Sequence, residues 1–377
     1  MKILLFTLEY PPFHGGVANY YGNLVKYWPR EGGIEVLNNN HGELINSRLP
    51  LGWLKAVIKL RRAIKEKGFD HILVGQILPL GTAALIYSKL YKIKYSVFLH
   101  GMDFTLAVKP GRKRFMSRRA LFGSEKIICA NGYLAELAKR EFPGLASKII
   151  VVNPGVENRV THSAQRVAQL KIKYNLDNKI ILLSVGRLVK RKGFDKVIEA
   201  MPEVLKQAPN LVYVIIGEGP ELSNYQLSIK NYRPGPACPV GRADQPWADG
   251  LKDKIIIINQ TTDAERDQWY NASDIFIMPS RNINGDFEGF GIVYLEANLA
   301  GKPVIAGRSG GVGDAVIDGL NGLMVDPENV NDIREKIIKL ALNPELRHKL
   351  GEQGRRRVIE EFNWKKQVNK IYKITQL

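Results

Sequence analysis

Ile180-Ile-Leu-Leu-Ser-Val-Gly-Arg-Leu-Val-Lys-Arg-Lys-Gly193 decides the fold of this 377-residue chain. A short apolar run, a basic loop bounded by Gly186 and Gly193, and an amphipathic stretch from Phe194 read as strand, turn and helix. That is the repeating unit of a parallel α/β sheet. The loop suits phosphate, since Arg187 offers a planar fork of donors and Lys192 a compact charge. It is not a P-loop, because Lys192 precedes its glycine instead of following it. The alternative is a solvated basic turn, with Lys190 and Arg191 as surface charges.

A second segment, Glu288-Gly-Phe-Gly-Ile-Val-Tyr-Leu-Glu296, places two carboxylates around a glycine-framed bend. Gly289 and Gly291 permit the bend, and residues 292–299 run on as a helix whose first N–H groups lack internal partners. Such a start attracts anions. Glu288 then stands beside the anion site and Glu296 about 8 Å further along the helix axis. Acceptor-rich groups flanking a phosphate pocket suit a nucleotide-sugar, whose sugar and ribose both present paired hydroxyls.

Outward from these segments, short apolar runs alternate with longer amphipathic stretches. Strands are predicted at residues 2–7, 71–74, 95–99, 126–130 and 149–152, then at 180–185, 211–216, 255–259, 275–279, 303–306 and 322–325. The break between the sets falls near residues 153–163, and residues 363–375 read as a final helix. A chain this long exceeds one typical core, so two domains are expected. The N-terminal apolar run ends at Glu9 and two prolines, which makes it a buried strand and not an export signal. Residues 71–88 lack charge but are interrupted by Gly75, Gln76, Pro79 and Gly81, so no transmembrane segment is predicted. Cys129 and Cys238 suggest neither a disulfide framework nor a zinc site, and Asn271-Ala-Ser273 reads as an accidental glycosylation match. A cytoplasmic setting fits.

Together the two opening segments resemble the retaining glycosyltransferases of family 4, of GT-B fold. Tyr10-Pro-Pro-Phe-His-Gly-Gly-Val-Ala-Asn19, His100-Gly-Met-Asp103, Val152-Asn-Pro-Gly-Val156, Ile215-Ile-Gly-Glu-Gly-Pro-Glu221 and Ser309-Gly-Gly-Val312 extend the resemblance over some 300 residues. It implies two Rossmann-like domains facing each other across a cleft. Residues 1–158 would bind acceptor, 159–360 the nucleotide-sugar donor, and 361–377 would form a helix crossing back to the first domain. It further implies that Arg187 and Lys192 hold the donor diphosphate, approached by the backbone of Gly16. Glu288 would bind hydroxyls of the transferred sugar and Glu296 those of the ribose. Backbone N–H groups of Phe290, Gly291 and Ile292 would face the diphosphate or sugar. His100 would lie near the sugar, with Gly15 near the acceptor and Asp103 near the acceptor or the histidine. Neither metal nor other cofactor is required, and attack is front-face with retention. The segment from Gly285 is similar to that of phosphatidylinositol mannosyltransferases, which points to GDP-mannose first and a UDP-hexose second. Acceptors are lipid-linked or glycan, with a soluble sugar phosphate as the alternative.

Residues 225–250 carry four prolines and read as an extended surface loop. Residues 281–287 form a polar loop able to close over a sugar, and Gly313 stands where relatives often have proline. A nicotinamide-dependent dehydrogenase is disfavoured because Leu222 replaces the third glycine of its fingerprint. A metal-dependent transferase of the other common fold is disfavoured because no Asp-x-Asp occurs. The formal charge is +18, and residues 1–155 hold 23 Lys and Arg against 10 Asp and Glu. That balance suits an anionic membrane, on the inner face of the cell membrane, or an acidic acceptor, through the loop 109–119 with Arg112, Lys113, Arg114, Arg118 and Arg119. A stripe of Trp53, Val57, Leu60 and Ile64 reads either as an interfacial helix or as packing on its own sheet. A polyanion-binding protein is the non-enzymatic alternative. Base-stacking sites and basic recognition motifs of a nucleic-acid module are lacking, so no nucleic-acid partner is expected.

Overall fold

The computed structural model describes residues 1–13, 15–45, 52–157, 163–232 and 251–376. The chain divides into two compact units, Met1–Gly155 with Phe362–Leu377, and Val156–Glu361. Each is built around one six-stranded parallel sheet.

In the first unit the strands are β1 (Lys2–Phe6), β2 (Gly33–Leu37), β3 (His71–Val74), β4 (Lys94–Leu99), β5 (Ile127–Cys129) and β6 (Ile149–Val151), in the order β2-β1-β3-β4-β5-β6. Successive side chains of a strand point to opposite faces. Leu4 and Phe6 accordingly enter one core cluster, while Ile3 and Leu5 enter the other. The second cluster is completed by Trp364, Val368, Ile371 and Ile374 of the terminal helix Trp364–Thr375. Because the strand order reverses between β1 and β3, the loops after those strands splay apart and leave a crevice at their carboxyl ends.

The second unit contains β7 (Ile180–Val185), β8 (Leu211–Ile216), β9 (Ile255–Ile258), β10 (Ile275–Met278), β11 (Val304–Gly307) and β12 (Gly322–Val325), in the order β12-β11-β10-β7-β8-β9. Here the reversal lies between β7 and β10, so the loops that follow them, Gly186 to Gly193 and Pro279 to Gly291, flank the crevice.

Three expectations need correction, and one open alternative is decided. β2 was not foreseen: its five residues are mostly half-buried and include Glu35, so an edge strand carries a weak apolar signal. Residues 225–231 belong to the helix Leu222–Asn231 instead of an extended loop, with Tyr225 and Ile229 buried; residues 233–250 lie outside the described part. The basic segment is not a loop from Arg112 onward, where it runs as the helix Arg112–Gly123. The Trp53 stripe faces inward, for Leu60 and Ile64 of the helix Leu54–Lys67 are core residues with Val57 packed against them. Among the described residues no helix is long and apolar enough to cross a membrane.

One buried group makes the first sheet sensitive to acid. His71, 1% exposed, meets the Ser96 hydroxyl at 3.0 Å through Nε2. Burial, aided by Lys94, pulls its pKa down from 6.5 to about 4. The folded state therefore binds this proton less tightly than the unfolded chain. The corresponding stability is present above pH 6.5 and is lost as pH falls through 4, by up to about 3 kcal/mol. Urea midpoints measured from pH 7.5 to 4.5 should drop less steeply for His71→Gln than for the wild type; parallel curves would show that His71 is not the sensitive group.

Candidate active site

The second unit gathers its charges at the reversal between β7 and β10. Gly193 ends the basic loop at φ 75° and lies so near the Pro279 carbonyl that any Cβ there would collide with it. This close approach locks the two crevice loops together, as does the bond from the Arg281 N–H to the Arg191 carbonyl at 2.9 Å. As a result Lys192 Nζ donates to Glu288 Oε2 at 2.6 Å and Arg191 Nη1 donates to the same oxygen at 2.8 Å. The Ser280 hydroxyl adds a third donor at 3.3 Å.

Glu288 is held through its backbone as well. Its N–H donates to the Ser309 hydroxyl at 3.3 Å, and its carbonyl accepts from Gly311 N–H at 2.9 Å. Gly310, at φ 51°, would drive a Cβ into the Glu288 carbonyl and the Phe287 ring. Burial works against ionisation of Glu288, but Lys192 and Arg191 outweigh it and hold the carboxyl below its usual range. The outcome is a buried carboxylate with Oε2 engaged by three donors. Oε1 makes no hydrogen bond with another described residue and is the oxygen left to receive a ligand hydroxyl.

Lys192, expected on a diphosphate, and Glu288, expected on a sugar, are in direct contact with each other. Arg187 is different: it is exposed, and its guanidinium makes no hydrogen bond or ion pair with another described residue. Arg191, read from sequence as a surface charge, is instead the second cation on Glu288, and its Nε lies 3.1 Å from Asp286. No local signal distinguishes it from Lys190, since both lie in the same basic triplet. The segment 281–287 is no open loop. Asn284 and Gly285 both have positive φ, and Ile283 and Asp286 exchange backbone hydrogen bonds at 3.0 and 2.9 Å. This is the tight hairpin turn that Asn-Gly favours, and it delivers Asp286 to Arg191.

Beyond the bend, Gly291 takes φ 79° and the helix Ile292–Leu299 begins with no side-chain cap, so its N-terminal dipole is not offset by a capping side chain. Glu296, on this helix, accepts from the Tyr270 hydroxyl at 2.8 Å.

The first unit presents its own cluster. Gly15 precedes, and Gly16 begins, the helix Gly16–Lys26, and a Cβ on Gly16 would meet nothing within 4 Å. Asp103 caps the turn after β4, its Oδ1 accepting from Gly101 N–H at 2.8 Å and His100 N–H at 3.1 Å. Burial raises its pKa to about 6 against those bonds. His100 follows β4, and burial lowers its pKa to about 4. Its Nε2 contacts the Tyr21 hydroxyl at 2.7 Å, a partner absent from the sequence-based site.

Two doubly wound units, one with cations and a buried carboxylate at its crevice, define a GT-B glycosyltransferase. The profile described as Glycosyltransferase Family 4 matches residues 14–159, and that described as Glycosyl transferases group 1 matches residues 179–343. An uncharacterised glycosyltransferase of Methanocaldococcus jannaschii is 27% identical, covering 99% of this chain and 97% of that protein. The GDP-mannose-dependent alpha-(1-6)-phosphatidylinositol monomannoside mannosyltransferase of Mycolicibacterium smegmatis is 25% identical, covering 96% and 95%. Among solved structures, a Rickettsia africae glycosyltransferase superposes with TM-score 0.79 at 20% identity, over 100% of this chain and 98% of that one. An Anabaena protein in complex with UDP gives 0.75 at 17% identity, over 100% of both. The chain belongs to glycosyltransferase family 4.

Arg191 thus becomes testable as a support for Glu288. Arg191→Met should lower transfer by roughly tenfold or more while leaving nucleoside diphosphate affinity within about twofold, because the partner lost orients only the carboxylate. Calorimetry and initial rates decide it; wild-type turnover in the variant would remove Arg191 from the site.

Proposed function

We propose that this glycosyltransferase moves a hexose, mannose before others, from a nucleoside-diphosphate sugar to a lipid-linked or glycan acceptor with retention of anomeric configuration and without a metal ion. The observation that carries this reading is the anchored Glu288 carboxylate, with one oxygen held by Lys192 and Arg191 and the other open, on a crevice whose basic loop also carries the exposed Arg187, which pairs with no other described residue. In this reading Glu288 receives sugar hydroxyls and Glu296 receives ribose hydroxyls. Arg187, Lys192 and the uncapped helix start at Gly291 meet the diphosphate, approached also by the backbones of Phe290, Ile292 and Gly16. His100 is assigned to the transferred sugar, and Gly15 and Asp103 to the acceptor. As the glycosidic bond breaks, negative charge grows on the leaving diphosphate, and fixed cations lower that barrier. The acceptor oxygen attacks the anomeric carbon from the face the diphosphate leaves, and its proton passes to the departing phosphate oxygen. Mannose is favoured because relatives that align along the chain are named as GDP-mannose-dependent mannosyltransferases.

A panel of nucleotide-sugars, scored by melting temperature and by release of nucleoside diphosphate, tests the donor. GDP-mannose should raise the melting temperature and turn over, with activity surviving excess EDTA and falling about a hundredfold or more in Arg187→Ala. A response to UDP-sugars alone would replace the donor. Loss in EDTA with rescue by magnesium would overturn the metal-free mechanism.

The same reading places the protein on the cytoplasmic face of an anionic membrane through the helix Arg112–Gly123. Arg112, Lys113, Arg118 and Arg119 are exposed there, and Phe115 is 58% exposed beneath Arg119, whose guanidinium lies 5.7 Å from its ring centre. Arg114 is committed elsewhere, to Glu141 at 2.7 Å. Each basic residue near such a surface contributes about 1 kcal/mol, so four give reversible, salt-sensitive binding. Liposomes containing anionic lipid should sediment the wild type at low salt and release a variant with those four residues changed to glutamine. Indifference of the wild type to such vesicles would favour a soluble acidic acceptor.

A further inference from the structure

Tyr21 lies on the helix Gly16–Lys26 with its side chain fully buried. Its hydroxyl oxygen is 2.8 Å from the Gly75 carbonyl, just past β3, and 2.7 Å from His100 Nε2, just past β4. A carbonyl can only accept, so the single phenolic proton goes to Gly75. The phenolic oxygen then offers His100 a lone pair, and so short a contact requires a proton on Nε2. The opposite allocation would set two acceptor oxygens face to face at 2.8 Å. A relay N–H···O–H···O=C satisfies all three groups, and each bond polarises the next.

The imidazole has little freedom to escape this arrangement. Phe98 lies nearly parallel to it at 6.1 Å, while Tyr20 and Tyr21 present edges at 5.0 and 5.3 Å. Burial disfavours the charged forms of both partners, lowering the His100 pKa and raising that of Tyr21. Near neutral pH the ring is therefore uncharged and carries one proton. The other nitrogen, Nδ1, makes no hydrogen bond with another described residue, and His100 is partly exposed whereas Tyr21 is not.

We propose that Tyr21 is a positioning residue that fixes His100 in its Nε2–H form, so that Nδ1 is a bare acceptor reserved for a hydroxyl of the donor sugar. This rests on the assignment of His100 to the transferred sugar. Its chemical consequence is selectivity: the sugar must donate a proton at that point, and a fluorine or O-methyl group there cannot. A site built to bond a hydroxyl discriminates strongly against analogues lacking it, because its polar atom is left unpaired.

Nitrogen-15 spectra of histidine-labelled protein test the proposal, with the His100 signals identified by their disappearance in His100→Gln. At neutral pH the free wild type should show a protonated, pyrrole-type Nε2 and a pyridine-type Nδ1. A pyridine-type Nε2 or an imidazolium would overturn the tautomer, whether or not the protein transfers sugar. Adding GDP-mannose should move the Nδ1 signal upfield, as expected when it accepts a hydrogen bond, whereas GDP alone should leave it in place. If bound GDP-mannose leaves Nδ1 unmoved, the hydroxyl contact fails while the tautomer stands. Tyr21→Phe should give mixed tautomers and about tenfold slower transfer at unchanged nucleoside diphosphate affinity. Wild-type spectra and rates in that variant would remove Tyr21 from the role. Should the variant not fold, the wild-type spectra still decide.

Discussion

The structure of the donor-side site depends on one constraint, that a buried carboxylate must be compensated. Stripping water from an ion costs several kcal/mol, repaid only when opposite charge and further donors stand at hydrogen-bond distance. Glu288 meets that condition with Lys192, Arg191 and Ser280 on one oxygen, while two bonds of its backbone to the Ser309 to Gly311 loop hold the residue in place. Three loops must therefore close on one another. The glycines at 193 and 310 stand where those loops touch, because a side chain at either would keep the backbones apart.

From that constraint follows a division of labour among the cations. Lys192 and Arg191 are engaged by the carboxylate, and Arg187 is exposed. In the proposed reading, a ligand bearing both hydroxyls and a diphosphate would meet the open oxygen of Glu288 and the Arg187 guanidinium. Its diphosphate would also draw on Lys192, whose withdrawal from Glu288 would leave Arg191 as the compensating charge. The tight turn at Asn284 and Gly285 matters for this reason, since it brings Asp286 to Arg191 and steadies the guanidinium.

The first unit solves a related problem with neutral groups. The turn after β4 holds His100 among aromatic rings and joins it to a phenol that in turn donates to a backbone carbonyl. The ring is held uncharged by burial and oriented by the relay, which suits contact with a neutral hydroxyl better than with a phosphate. Tyr20 and Tyr21 thus do more than fill the core, although their burial alone would suggest nothing else.

What the sequence determined by itself was local. Apolar runs of strand length separated by amphipathic stretches specify parallel α/β units, and the helix Ile292–Leu299 behind its glycine bend follows from composition over a dozen residues. The placement of Arg187, Lys192, Glu288 and Glu296 at loops and a helix start was legible for the same reason, with the resemblance to family 4 supplying their roles. What only the tertiary structure decided was which groups meet. Arg191 reaches Glu288 across 97 positions of chain, and Tyr21 reaches His100 across 79. Whether the Trp53 stripe faced lipid or its own sheet was equally open, because an amphipathic period is the same for either. Partners distant in sequence are brought together by strand order and crossovers, and the strength of their interaction depends on burial, which no local window of residues contains.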